Sequence, residues 1–291
     1  QFTQAMISLL SGDYAKGFEQ YECRWRDKSN GLRKIVSDCP EWDGTNGKKL
    51  YVYGEQGSGD SILMLRYAWM IRAKGVRQAW VAQNGLKPLI QTVREIDEVV
   101  DVGDALPDFD CHIPAASLPL VFKTTLDTVP PSPYIPKPEV EKLPGFNVGI
   151  CWRGSATQAN DSFRSTRLED WQPVFDVPGV TFHSLQVDNA DEGLLYPLIQ
   201  HPKPANWLET AKRIAQMDLI ITVDTSVFHA AGAMDVLVWC AMHRRPYFVF
   251  PVASQTTTPW YQSARLFKAE KDFDWKPVFE RIAGELATTA T

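Results

Sequence analysis

Apolar positions along the first 26 residues recur at helical spacing. Ala5, Leu9 and Leu10 form one stripe, and Tyr14, Phe18, Tyr21 and Trp25 form another, with Ser11-Gly12-Asp13 as the turn between them. The pattern predicts a short helical hairpin over residues 1–30. After a linker with Pro40, Trp42 and Asp43-Gly44, the period changes. Residues 49–54, 78–83 and 98–102 are short apolar runs that predict strands. Residues 61–74, ending at Gly75, and 87–94 predict the helices between them, while 109–122 stays mixed. This alternation defines a first α/β lobe over residues 45–135.

Residues 129–144 (VPPSPYIPKPEVEKLP) hold six prolines in sixteen positions, which fits neither helix nor central strand and predicts a stiff linker. A second alternation then runs over 145–275. Strands are expected at 146–152, 180–186, 219–223 and 236–242, helices at 168–175 and 205–217, and a return to the sheet at 246–252. Residues 276–291 predict a closing helix. Within this lobe, MDLIITVDTSVFHAAGAM reads as strand, cap and small-residue helix. Asp224 is the expected N-cap, and Thr225, Ser226 and His229 share one face near the helix start. In an open parallel sheet that place suits an anion or a nucleotide. The plain alternative is a core helix with His229 packed inside.

Composition narrows the class without changing the architecture. Hydrophobic residues are 44% and charged residues 22%, ordinary for a globular protein, and the net charge of −5 argues against a nucleic-acid partner. Five cysteines, odd in number and never in a CxxC pair, predict reduced thiols and a cytoplasmic setting. No run reaches about 18 consecutive apolar residues, so no membrane span is expected. QFTQAMISLL lacks a basic n-region and a cleavage site, so no signal peptide is expected, and Gln1 at the start suggests a longer parent chain. Ten tryptophans and 20 prolines point to irregular, aromatic-lined loops.

Two loops could carry chemistry. Glu55-Gln56-Gly57-Ser58-Gly59-Asp60 leaves a strand and enters a helix, and its glycines allow a ligand close to the backbone. It is neither G-x-G-x-x-G nor a P-loop, which disfavours a dinucleotide or ATP. Asp60 is either a plain cap or a general base for an incoming hydroxyl. The second loop, from Trp152-Arg153-Gly154-Ser155 to Arg164-Ser165, supplies Arg153, Arg164 and Arg167, whose planar guanidinium groups suit phosphate. Asp161 could equally tie one of these arginines into a structural pair. No D-x-D falls on a plausible loop, although Asp108-Phe109-Asp110 spells one, and no His pair has metal-ligand spacing.

Several segments in order carry a resemblance. WDG at 42–44, EQGSGDSI at 55–62 with Arg66-Tyr67, and SLPLVFKTTLDTVP at 117–130 come first. GICWRGS at 149–155, ND at 160–161, FRS at 163–165, HSLQ at 183–186 and DLIITVDTSVFHAAGAM at 218–234 follow. Pro259-Trp260-Tyr261 and Arg265-Leu266-Phe267 close the series. Together they resemble the glycosyltransferase domain attached to bacterial tetratricopeptide-repeat proteins. That group is similar to heptosyltransferases (glycosyltransferase family 9) and, more distantly, to O-linked N-acetylglucosamine transferases. The N-terminal hairpin resembles the last helix pair of such a repeat array.

The resemblance implies an α/β GT-B fold, two Rossmann-like lobes facing across a cleft, with the donor on the C-terminal lobe. It implies an inverting glycosyltransferase that moves a sugar from a nucleoside-diphosphate sugar to an acceptor hydroxyl without a metal or other cofactor. Asp60 corresponds to the proposed base. Asp224, Thr225, Ser226 and His229 correspond to the segment that grips the donor diphosphate, with Arg153 or Arg164 assisting the leaving phosphate. Gln56, Gly57, Gly59, Ser155 and Gln186 would lie near donor or acceptor. Acceptors of such a fold include a glycan, a lipid-linked saccharide or a protein. The chain departs from the pattern at His243-Arg244-Arg245-Pro246-Tyr247, where the family carries a loop rich in tryptophan and arginine. A non-catalytic sugar-nucleotide or glycan-binding module of the same fold is the alternative, with an epimerase of the two-lobed type behind it.

Overall fold

A computed structural model describes residues 1–290 except 27–30, 46–48, 157–160, 188–189, 202–203, 245–246, 251 and 253–255. Asn160 of the ND motif, and Arg245 and Pro246 of the divergent loop, lie outside the described residues. No helix among the described residues is long and apolar enough to cross a membrane. The chain forms two compact units. The first comprises Gln1–Pro136 together with Asn206–Leu208 and Tyr247–Ala253, and the second comprises Lys137–Ala205, Glu209–Pro246 and Ser254–Thr291.

The first unit opens with α1 (Phe2–Leu10) and α2 (Tyr14–Tyr21), followed by a 3-10 turn at Glu22–Trp25. Gly12 takes φ +88° in the turn, and Asp13 caps α2 by accepting from the Lys16 N–H. Gly17 must be glycine, because a Cβ there would meet Leu9 at 2.6 Å. The sheet of this unit contains β1 (Lys49–Tyr53), β2 (Arg77–Ala82), β3 (Glu98–Asp101) and β4 (Cys111–Pro114), all parallel, in the order β3-β2-β1-β4. Between them lie α3 (Ser58–Met64), a 3-10 turn, α4 (Ala68–Ala73) and α5 (Lys87–Ile90), with α6 (Leu118–Val121) after β4. The expected helix over 61–74 therefore starts earlier and is broken in two, and the mixed segment resolves into β4 and α6.

The second unit carries β5 (Phe146–Cys151), α7 (Asp161–Arg164), α8 (Gln172–Phe175), β6 (Val180–Ser184), β7 (Ile199–Gln200) and α9 (Trp207–Gln216), whose first two residues group with the first unit. It continues through β8 (Leu219–Val223), α10 (Ser226–Ala233), β9 (Val238–Met242), β10 (Ala264–Lys268) and α11 (Lys276–Thr289). The strands are parallel in the order β10-β9-β8-β5-β6-β7. Every residue of β8 and β9 is buried, which is why both read as unbroken apolar runs rather than alternating ones.

Two sequence expectations are corrected here. The described residues of 246–252 contain no strand, and β10 takes the place at the sheet edge instead. That segment packs on the helical hairpin of the first unit: Tyr14 Oη donates to the Phe248 carbonyl, and the Val252 N–H donates to the Leu10 carbonyl. Most tryptophans are interior residues rather than the lining of open loops. Trp152, Trp171 and Trp260 are fully buried, and Trp152 and Trp171 sit in the apolar core of the second sheet, where their large area stabilises most.

One buried group makes the second unit sensitive to acid. His183 on β6 pairs through Nε2 with Asn147 Oδ1 at 2.8 Å. Burial, and secondarily the charge of Arg213, hold its pKa below the ordinary 6.5. As pH falls below about 6.5 the unfolded chain takes up the proton before the folded one, so stability drops. Urea denaturation at pH 7.5 and pH 5 should show that loss, and His183→Gln should lessen it.

Candidate functional site

Strand order alone marks two places. In the second unit the chain winds outward from β5 through β6 to β7, then returns to the other side of β5 and continues through β8, β9 and β10. The connections diverge between β5 and β8, and ligands of open α/β sheets bind beyond the carboxyl ends of strands at that point. The loop with Arg153 follows β5, and the turn with Asp224 and Thr225 follows β8. In the first unit the divergence lies between β1 and β4, and the glycine-rich loop with Asp60 follows β1. Both candidate loops thus occupy a switch point of their own sheet.

At the second-unit switch point, Thr225 and not Asp224 is the N-cap of α10, with extended backbone at φ −140° and ψ 173°. Its hydroxyl does not cap the helix. It pairs with Thr222 Oγ1 at 3.0 Å and donates to Cys151 Sγ at 3.7 Å, so no side chain caps this helix start. Burial pushes the Cys151 thiol up to about 11, against the hydrogen bonds from Thr225 and Thr222, and it stays protonated. His229 is also turned inward: it is 5% exposed, and its Nδ1 lies 2.9 Å from Tyr261 Oη. Gly232 gives the Tyr261 ring its room against the helix. Thr225 and His229 therefore share the helix face expected of them but spend these contacts inside the unit. Asp224 and Ser226 are half-buried, the less enclosed residues of the turn.

Arg164 reaches that turn. Its Nη1 donates to the Asp224 carbonyl at 3.0 Å while Nε pairs with Asp161 Oδ1 at 3.2 Å, so the anticipated structural pair forms and also aims the arginine at the start of α10. Burial raises the Asp224 carboxyl above its usual range, with Arg164 opposing. Gly154 lies under this pair, and a Cβ would overlap both the Arg164 guanidinium and the Asp161 carboxylate. Gly154→Ala should push the ends of the Arg164 and Asp161 side chains aside at a cost of about 1 kcal/mol, read by thermal denaturation.

Arg153 is held differently. Its Nη1 pairs with Glu192 Oε2 at 3.3 Å, and Glu192 also accepts from Trp152 Nε1 and the Leu168 N–H. Gln186 is held on the backbone: its Oε1 accepts from the Trp152 and Arg153 N–H groups, and its Nε2 donates to the Arg153 carbonyl. It clamps the loop after β5. Ser155 is half-buried beside it, and Arg167 is exposed.

In the first unit, Gly57 is the N-cap of α3 and Asp60 its third residue. Asp60 Oδ2 accepts from the Gly57 N–H at 3.1 Å, so the carboxylate caps the helix from within the first turn. Its Oδ1 lies 3.4 Å from Tyr247 Oη. Gln56 donates through Nε2 to Tyr21 Oη at 2.8 Å, and Gly59 is buried in the first turn. Behind this loop, Arg24 is 1% exposed and pairs with Glu55 and Glu22 while donating to Ser117 Oγ at 2.7 Å. Burial works against the Arg24 charge, but Glu55 and Glu22 together raise its pKa above the ordinary value.

Sequence reasoning missed Tyr21, Tyr247, Glu192 and Tyr261 as partners of the candidate residues. Tyr261 and Tyr247 were visible only as part of a resemblance and of a departure from it. Asp110, which completes the D-x-D spelling, accepts from the Lys49 N–H at 2.8 Å and serves β1. Among the described residues no three His, Cys, Asp or Glu side chains gather to hold a metal ion. A cavity of about 880 Å³ lies between β10 and α11, lined by Arg265, Lys268, Arg281 and Glu285 among others, and none of the candidate residues borders it.

Comparison with solved structures places this architecture. Over 83% of this chain and 98% of its own, the Escherichia coli ADP-heptose lipopolysaccharide heptosyltransferase II superposes with a TM-score of 0.57 at 13% identity. A glycosyltransferase family 9 protein from Veillonella parvula does so over 85% and 98%, with a TM-score of 0.59 and 13% identity. The fold is that of the heptosyltransferases. No family model matches the sequence. Protein FlbA of Caulobacter vibrioides is 25% identical over 98% of the chain, which spans about half of that protein's length (54%). At 83–85% of the chain, the likeness extends over parts of both units.

Proposed function

We propose that this chain is an inverting glycosyltransferase that moves a sugar from a nucleoside-diphosphate sugar to the hydroxyl of a glycan, a lipid-linked saccharide or a protein. The observation that carries the reading is the coincidence of both candidate loops with the switch points of a heptosyltransferase fold. Asp60 takes the proton of the acceptor hydroxyl, whose oxygen forms the new bond at the anomeric carbon from the face opposite the nucleotide. The bond from that carbon to the diphosphate breaks, and the nucleoside diphosphate leaves with the electron pair. The backbone N–H groups at the start of α10, Ser226 and Arg164 meet the growing charge in place of a divalent metal, with Arg153 as a second cation. Thr225 and His229 shape this turn from within. We read the N-terminal hairpin as a tetratricopeptide-like pair, distantly in the manner of O-linked N-acetylglucosamine transferases, and place the reaction in the cytoplasm, where such donors are made.

A thermal-shift screen of UDP, GDP, ADP, CDP and dTDP tests the reading, because a ligand raises the melting point only if the folded state binds it. The corresponding nucleotide sugars then go into hydrolysis and transfer assays. Thr225→Ala combined with His229→Ala should weaken whichever nucleotide binds. The inward turn of Thr225 and His229 favours a second reading, a sugar-nucleotide-binding module without turnover, and binding with neither hydrolysis nor transfer would decide for it. No melting shift with any of the five nucleotides would sink both.

A further inference from the structure

The contacts around Asp60 single out a tyrosine pair that the reaction outlined above does not use. Asp60 Oδ2 is held by the Gly57 N–H, while Oδ1 faces Tyr247 Oη at 3.4 Å. Tyr247 Oη is also 3.3 Å from Tyr21 Oη and 3.4 Å from Gln56 Oε1. The Gln56 amide donates to Tyr21, and in the arrangement where Tyr21 donates to Tyr247 the Tyr247 proton is directed at the carboxylate or the Gln56 oxygen. At 3.4 Å the contact with Asp60 is long, as hydrogen bonds at catalytic groups often are before substrate arrives.

What holds Tyr247 there is the helical hairpin. Its ring packs on Phe248, with centroids 4.4 Å apart, and Phe248 sits edge-on to Phe18 of α2 at 5.7 Å and close to Tyr21 at 6.4 Å. Phe18, Tyr21 and Phe248 are all buried. Burial, then the negative charge of Asp60, push the Tyr21 phenol up to about 12, so it remains a donor across the neutral range. The charged groups around this cluster are Asp60 itself and the Arg24–Glu55–Glu22 network, which fixes the start of the same loop.

We propose that Tyr247, backed by Tyr21, is the positioning residue for Asp60: its hydroxyl sets the direction of the carboxylate, and the N-terminal helical pair is thereby part of the catalytic face of the first unit. The inference rests on Asp60 as the base. It gives the hairpin a function of its own, because Tyr21 comes from α2 and Tyr247 from the segment that α1 and α2 hold.

The test uses Tyr247→Phe and Tyr21→Phe in the full chain, since phenylalanine keeps the ring packing and removes only the hydroxyl. The first readout needs no substrate. Aspartate carboxyl carbons are labelled and titrated by NMR, with Asp60 assigned through Asp60→Asn. Losing a hydrogen bond to the charged form should move the Asp60 titration to higher pH in Tyr247→Phe and, by less, in Tyr21→Phe. The second readout is turnover of whichever nucleotide sugar the chain uses. In Tyr247→Phe, kcat should fall about tenfold at unchanged donor KM, with its acid limb moved to higher pH. An Asp60 signal that titrates as in the wild type, or a wild-type kcat, overturns the inference. If Asp60→Asn is inactive and Tyr247→Phe behaves as wild type, only the positioning role falls. If Asp60→Asn turns over normally, the base assignment falls instead.

Discussion

Asp60→Asn should reduce sugar transfer by about 10²–10⁴-fold while nucleotide affinity stays near that of the wild type. Asparagine is the informative replacement because two roles compete at this position. As a cap, Asp60 offers an oxygen to the Gly57 N–H, and an asparagine oxygen can accept the same hydrogen bond. As a base it must take a proton, which the amide cannot do at neutral pH. A purely structural Asp60 predicts a folded, active variant. A catalytic one predicts a folded, inactive variant that still binds the nucleotide, since the candidate diphosphate contacts belong to the other unit. Steady-state transfer rates together with calorimetry on the same preparation separate the outcomes. An active Asp60→Asn enzyme would end the assignment.

The second large effect is one of stability. Arg24→Ala should destabilise the first unit by about 3–5 kcal/mol, because it leaves the Glu55 carboxylate, with its side chain 2% exposed, buried without its cation. Alanine also removes the guanidinium that stacks over the Trp25 ring at 4.4 Å and the donor to Ser117. Replacing both partners with apolar residues, Arg24→Met with Glu55→Leu, should recover much of the loss, since the penalty comes from the unpaired charge more than from the missing attraction. Urea denaturation of the two variants beside the wild type tests this. An Arg24→Ala protein as stable as the wild type would show that water reaches Glu55.

Much of the fold was legible because its signals are local. Buried parallel strands must be apolar throughout, so β1, β5 and β8 announced themselves, and the proline run at 129–144 could be neither helix nor central strand. The glycine-rich loop after β1 and the turn after β8 were visible as strand-to-helix junctions. The edge strand β10 was less so. Its burial is interrupted by the exposed Arg265, and the more apolar run at 247–250 competed for the same place in the sheet. Phe248 and Phe250 are apolar because they pack in the first unit, and no local pattern says which surface an apolar run will cover.

The site divides along the same line. The sequence by itself determined which residues stand at strand-to-helix junctions, since position after a strand and before a helix is a property of neighbours in the chain; that two of these junctions are switch points came from the strand order. Only the tertiary structure decided what those residues do with their polar atoms. It turned Thr225 toward Thr222 and Cys151, His229 toward Tyr261 and Gln186 onto the backbone after β5, and it left Arg164 aimed at α10. It also brought Tyr21 and Tyr247, more than 200 residues apart, to within 3.3 Å of each other beside Asp60. Helix and strand periodicity fixes the side a residue faces. The partner it meets there depends on how distant segments pack, and a hydrogen bond, which acts only within about 3.5 Å, is settled at that last step.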